Sequence, residues 1–180
     1  MFYLVACSYT DPESEKEWNA FYSLEKLPAL ISVNGFSSSQ RFQALSQDCP
    51  MYLAIHTVKD AQVITSEEYL LKGGGNFSRW QKHITDWHRN LYECEGIAPA
   101  VSRDEILLLS TQPLRFVERL GCHALTMVAS GLDRMPAKCI AYVMTREAAA
   151  QIADVTGAYR YAPLTSQLTP PHGADNEERA

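Results

Sequence analysis

The chain has 180 residues with 46% apolar and 21% charged side chains, a net charge of −5 and a pI near 5.5. That balance excludes wholesale disorder. An acidic chain with no Lys/Arg cluster also argues against nucleic acid as a partner, because phosphate binding needs a basic footprint.

The opening apolar run, Phe2 to Cys7, is too short for a membrane span and has no basic region before it. Neither a membrane segment nor a signal peptide is therefore expected. Five cysteines (Cys7, Cys49, Cys94, Cys122 and Cys139) form an odd set without a C-x-x-C pair. Reduced thiols and a cytoplasmic location are the corresponding expectations.

Residues 1–9 read as a buried strand, short and rich in β formers. Thr10-Asp11-Pro12 ends it and starts a helix, by a Thr10/Glu13 capping box or by Asp11 as cap with proline in the first turn. Trp18, Phe21, Tyr22 and Leu24 mark that helix, Pro28 should kink or restart it, and Asn34-Gly35 ends it. Phe36 to Leu45 and Met51 to Val58 form a hairpin across the turn Gln47-Asp48-Cys49-Pro50. Thr65-Ser66-Glu67-Glu68 opens another helix, closed by Gly73-Gly74-Gly75, and Asn76 caps a short segment with Phe77 and Trp80.

Residues 84–93 pull two ways. Phe77, Trp80, Ile84, Trp87 and Leu91 recur at helical spacing, whereas Trp87, Arg89 and Leu91 alternate with His88, Asn90 and Tyr92 as in a strand. Overall topology favours the strand. The second half then follows the first in order and punctuation. A strand runs into Thr111-Gln112-Pro113, a shortened helix over 113–120 follows, and Gly121 and Pro136 repeat the 15-residue separation of Gly35 and Pro50. Ala137 to Met144, a helix over 146–154 and a strand over 159–164 complete it. The implied fold is α+β, with tandem βαββαβ units over residues 1–95 and 96–168 and a disordered tail over 169–180.

Four short motifs in order, Trp18-Asn19-Ala20-Phe21-Tyr22, Lys26-Leu27-Pro28-Ala29-Leu30, Asn34-Gly35-Phe36 and Gln40-Arg41-Phe42, resemble the dimeric α+β barrel superfamily. That superfamily includes EthD-like proteins, antibiotic-biosynthesis monooxygenases and muconolactone isomerases. The resemblance covers about residues 1–95 and departs at two places. Lys26 stands where the family has histidine, so a mechanism relying on that histidine does not carry over, and Asn34 replaces a proline. The resemblance implies ferredoxin-like antiparallel sheets closing face to face into a barrel. Two units in one chain could close it without a partner, which leaves a homodimer optional.

Strand 51–58 splits into Met51, Leu53 and Ile55 against Tyr52, Ala54 and His56. Assigning the apolar set to the helices places Tyr52 and His56 toward the barrel. Ser37-Ser38-Ser39-Gln40-Arg41 is polar on both faces, so at least one face must meet water, a ligand or hydrogen-bonding partners. Arg41, His56, Trp87, His88 and Arg89 are the candidate lining.

In an enzyme, Arg41 would hold an anionic or carbonyl group, and His56 or His88 would move protons. Tyr52 and Trp87 would shape an apolar wall, with Arg89, Tyr22 and Trp18 as further ligand contacts. Trp18 and Tyr22, one helical turn apart, equally suit plain packing of helix on sheet. His83 and His88 match no metal-ligand spacing, and Gly73-Gly74-Gly75-Asn76 lacks the ending of a phosphate loop, reading better as a flexible joint or lid hinge.

The resulting expectation is a small enzyme acting on a modest organic molecule by isomerisation, water elimination or cofactor-free oxygenation, with no cofactor and no metal. A non-catalytic ligand-binding or interaction protein with a filled barrel is the alternative, and haem binding at one histidine is a third. A cavity too small for a ligand, or Arg41 and His56 both outside it, would overturn the enzyme reading.

Overall fold

A computed structural model describes residues 1–171. Eight strands run in the order β1 (Phe2–Tyr9), β2 (Phe36–Ala44), β3 (Tyr52–Val58), β4 (Ile84–Glu93), β5 (Glu105–Ser110), β6 (Leu125–Leu132), β7 (Lys138–Thr145) and β8 (Ala158–Pro163). They close into one antiparallel barrel in the order β1-β3-β2-β8-β5-β7-β6-β4. Each half thus has the ferredoxin-like order 4-1-3-2. Two seams join them, Phe42–Ala44 of β2 against Tyr161–Pro163 of β8, and β4 against β6. The barrel closes within one chain and leaves no strand edge free.

The helix after β1 starts at Glu15, three residues beyond Pro12. Asp11 rather than Thr10 organises the entry: its carboxylate accepts from the Glu13 amide (3.2 Å) and the Ser14 hydroxyl (2.6 Å), while Thr10 turns to the His83 carbonyl. α1 (Glu15–Phe21) passes through a π segment (Tyr22–Lys26) into α2 (Leu27–Ile31). The widened turn stands just before Pro28, which has no amide to donate, so the helix continues past the proline. α3 (Glu67–Leu71) opens within the expected Thr65-Ser66-Glu67-Glu68 stretch, with Ser66 rather than Thr65 as the cap, accepting from the Tyr69 amide at 3.2 Å. Residues 84–93 form the strand, preceded by a 3-10 turn over Ser78–His83 that absorbs part of the helical spacing.

The second half carries only α4 (Arg115–Glu118) and α5 (Arg146–Ala150) on its outer face. No helix among the described residues is long and apolar enough to cross a membrane. The tail expected to be disordered falls outside the described residues from position 172 onward.

Three apolar clusters result. Phe2, Leu4, Phe42, Leu53, Ile55, Tyr92, Leu107, Leu109, Met127 and Tyr161, at alternate positions of their strands, fill the barrel. Tyr3, Val5, Trp18, Tyr22, Leu27 and Tyr52 join the first helices to the outer face of β1 and β3, and Ile106, Leu108, Val117 and Tyr142 do the same for the second half. Both faces of β3 are therefore buried. This reverses the expected orientation: Leu53 and Ile55 point into the barrel, while Tyr52 and His56 lie under the helices. A closed sheet packed on itself is as apolar inside as a helix contact, so the more apolar side of a strand does not identify its helix side.

The connection between β4 and β5 plugs one end of the barrel. Gln40 donates to the carbonyls of Val101 (2.8 Å) and Thr165 (2.9 Å) and accepts from the Val101 amide. Thr57 accepts from the Ala98 amide, and Gln167 donates to the Ala98 carbonyl. The polar run in β2 is satisfied by protein partners: Ser38 bonds Thr57, Ser39 bonds His56, and Gln40 holds the plug.

Candidate functional site

The opposite end of the barrel holds a cavity of about 410 Å³, within the range of small-molecule sites. Leu4 and Ala6 of β1, Leu53 of β3, His88, Asn90 and Tyr92 of β4, Leu109 of β5 and Tyr159 and Tyr161 of β8 line it, with Asp48-Cys49-Pro50 and Met135-Pro136 at the rim. The Asn90 amide pairs with the backbone of Met135 in both directions, at 2.9 and 3.0 Å, and the Tyr92 hydroxyl donates to the Pro136 carbonyl at 3.0 Å. These bonds fix the β6–β7 loop as one wall of the mouth.

The interior of this cavity is neutral. Burial pushes the Cys139 thiol up to about 12 and raises the Tyr92 and Tyr161 phenols well above their ordinary value. Cys49 is raised for the same reason, although the Tyr161 hydroxyl beside it acts the other way. The ionisable lining lies at the rim, in Asp48 and His88. His88 is half exposed; its Nε2 lies 3.3 Å from Asp86 Oδ1, and its Nδ1 lies 3.8 Å from Asp133, beyond hydrogen-bonding distance. With Nε2–H donating to Asp86, Nδ1 is the nitrogen free to accept a proton.

Of the residues singled out by sequence, His88 alone lines this cavity. Arg41, Trp18, Tyr22 and Tyr52 gather instead beneath the first helix. The buried Arg41 guanidinium donates to Asn19 Oδ1 (2.9 Å), the Asn19 carbonyl and Ser23 Oγ (2.8 Å), and stacks 4.1 Å from the Tyr22 ring centre. Asn19 in turn donates to the Tyr52 hydroxyl. His56 is fully buried on the same face, with Nδ1 2.6 Å from Ser39 Oγ and its ring against Tyr3 and Phe36. Burial and the nearby Lys26 charge push its pKa down to about 3. Arg89 donates to the Tyr3 hydroxyl and lies over the Trp87 ring.

Sequence reasoning missed Asn90, Tyr92, Tyr159, Tyr161 and the two cavity thiols. The signal existed in the alternation of His88, Asn90 and Tyr92, and of Tyr159 and Tyr161, once both segments are strands with one face inward.

No family model matches the chain, and no curated protein matches it in sequence. Solved structures do match in fold. An anthrone oxidase-like protein superposes with a TM-score of 0.57 at 11% identity, over 93% of this chain and 92% of that one. A "putative monooxygenase" from Fusobacterium nucleatum gives 0.56 at 7% identity, over 92% and 93%. Another of that name from Lactobacillus acidophilus gives 0.54 at 9%, over 93% and 95%. The chain has the α+β barrel fold of these proteins. At such identities the likeness concerns the fold and carries no residue from one chain to another.

Proposed function

We propose that the protein is a small enzyme that takes a planar, largely apolar molecule bearing a carbonyl or phenol into the open end of its barrel, where His88 exchanges a proton with it. The observation carrying this reading is the neutral, apolar cavity of about 410 Å³ with one imidazole among its lining residues. Asp86 orients that imidazole as the third group of a base–orienter pair would. Removing a proton next to a carbonyl leaves a delocalised carbanion, the shared first step of isomerisation, water elimination and oxygenation without a cofactor. An anthrone oxidase-like protein shares the fold, and a tricyclic aromatic ketone is the kind of molecule an apolar cavity with an imidazole at its rim would accept. Arg41 and His56 both lie outside the cavity, on the other side of the sheet, which overturns the enzyme expected from them; the present reading rests on His88 and the cavity alone.

The test follows exchange of the acidic C–H of a tricyclic aromatic ketone in heavy water by NMR, with the full chain. The wild-type protein should accelerate exchange, and His88→Gln should lower that acceleration at least about 100-fold while leaving binding intact. Ala6→Phe, which fills the cavity, should abolish both. Binding without exchange would favour a non-catalytic carrier, and exchange indifferent to both substitutions would overturn the site.

A further inference from the structure

The helix face of the first four strands encloses a second, much smaller gap of about 10 Å³, lined among others by Tyr3, Lys26, His56, Tyr69 and Phe77. This is room for one water-sized particle. Its hydrogen-bonding groups do not balance. The buried Lys26 ammonium gives two of its three N–H donors to the carbonyls of Gly73 and Asn76 (2.7 Å to the latter) and has a third to spare. Tyr3 and Tyr69 share one hydrogen bond of 2.9 Å, and Arg89 donates to Tyr3, so one of the two phenolic protons has no acceptor.

His56 Nε2 is one of only two buried side-chain polar atoms without a partner among the described residues, the other being Trp18 Nε1. Ser39 Oγ lies 2.6 Å from Nδ1; assigning the buried Ser39 proton to that bond gives it an acceptor and puts the histidine proton on Nε2. Three donors are thus left over around one gap.

The charge is unbalanced in the same sense. No carboxylate lines the gap, and neither Lys26, Arg41 nor Arg89 forms a salt bridge among the described residues. A buried cation without a counter-charge is costly. A water molecule would bring two further donors into a site that already has a surplus, whereas a monatomic anion only accepts.

We propose that this gap is a binding site for one small monovalent anion of halide size, held by Lys26 Nζ, His56 Nε2 and the Tyr3–Tyr69 hydroxyl pair. The anion would tie the Gly73–Asn76 loop, through Lys26, to the sheet beneath it. The site is separated from the barrel cavity by the sheet itself and does not depend on the function proposed for that cavity.

Bromide is the probe. Crystals of the full chain grown in sodium bromide should show an anomalous peak in the gap, and bromide replacing gluconate at constant ionic strength should raise the melting temperature saturably. Lys26→Met should weaken that bromide dependence at least tenfold, and Tyr69→Phe, which takes away one of the two hydroxyls of the pair without a change of shape, should weaken it measurably. Density in the gap without an anomalous peak would identify a buried water and overturn the proposal. A bromide effect equal in wild type and both variants would overturn it as well.

Discussion

His56 shows how a residue type suited to catalysis can serve burial. Its ring is inaccessible, its Nδ1 is engaged by Ser39, and its pKa falls from 6.5 to about 3 because the charged form is excluded from the interior. A base lowered in the folded state leaves the unfolded chain with the higher proton affinity at intermediate pH. Stability therefore falls as pH drops from about 6.5 toward 3, by roughly 3 kcal/mol at pH 4.5. Asp11 and Glu68, whose carboxyls are also held below their ordinary values, contribute in the same direction, but both are partly open to solvent, which screens the effect. Urea denaturation of wild type and His56→Gln at pH 7 and pH 4.5 isolates the histidine. The wild type should lose more stability than the variant between these pH values, and parallel losses would place His56 in contact with water. Arg41 makes the related point that a polar residue on a strand need not face a ligand: its partners are Asn19 and Ser23 of the overlying helix.

At the scale of elements, sequence punctuation located the segments well. Both hairpin strands of the first half, the helix start within Thr65–Glu68 and the strand over residues 84–93 stand where turn chemistry and topology put them. Facing was not legible, because a strand buried on both sides loses the polar–apolar alternation that would orient it. Tyr52 and His56 fell on the helix side for this reason.

The triple glycine shows geometry that composition only hinted at. Gly73 and Gly75 have φ of +94° and +72°, and a Cβ on Gly74 would stand 2.3 Å from the Tyr69 ring. Glycine is thus needed here for a fixed close packing as well as for turning. Gly74→Ala should destabilise the fold by about 1–3 kcal/mol through overpacking. Gly96→Ala, which meets nothing within 4 Å but has φ +77°, should cost only the strain of a left-handed backbone, about 1–2 kcal/mol. Chemical denaturation of both variants measures this, and an unperturbed Gly74→Ala would mean that the loop does not pack on Tyr69.

For the whole molecule, 180 residues are too many for one ferredoxin-like sheet and suit two that bury their open faces against each other. Closure within one chain follows from β2 pairing with β8 and β4 with β6, and the β4–β5 connection then seals one end. Among the described residues that leaves one mouth, and its polar lining comes from strands far apart in sequence, β4, β5 and β8, with the rim supplied by residues 48–50 and 135–136. No local motif could announce such a site, because its residues meet only through the strand order of the closed barrel. The same closure makes the interior neutral and leaves Asp48 and His88 at the rim.

In the function proposed above, this barrel mouth is a ligand site. A crystal structure of the full chain grown with anthrone tests it most directly. The planar ring system should lie between Leu53, Leu109 and Tyr159, with its carbonyl end toward His88. A cavity that stays empty at saturating ketone, or ketone density under the first helix beside Arg41 and Tyr52, would contradict it.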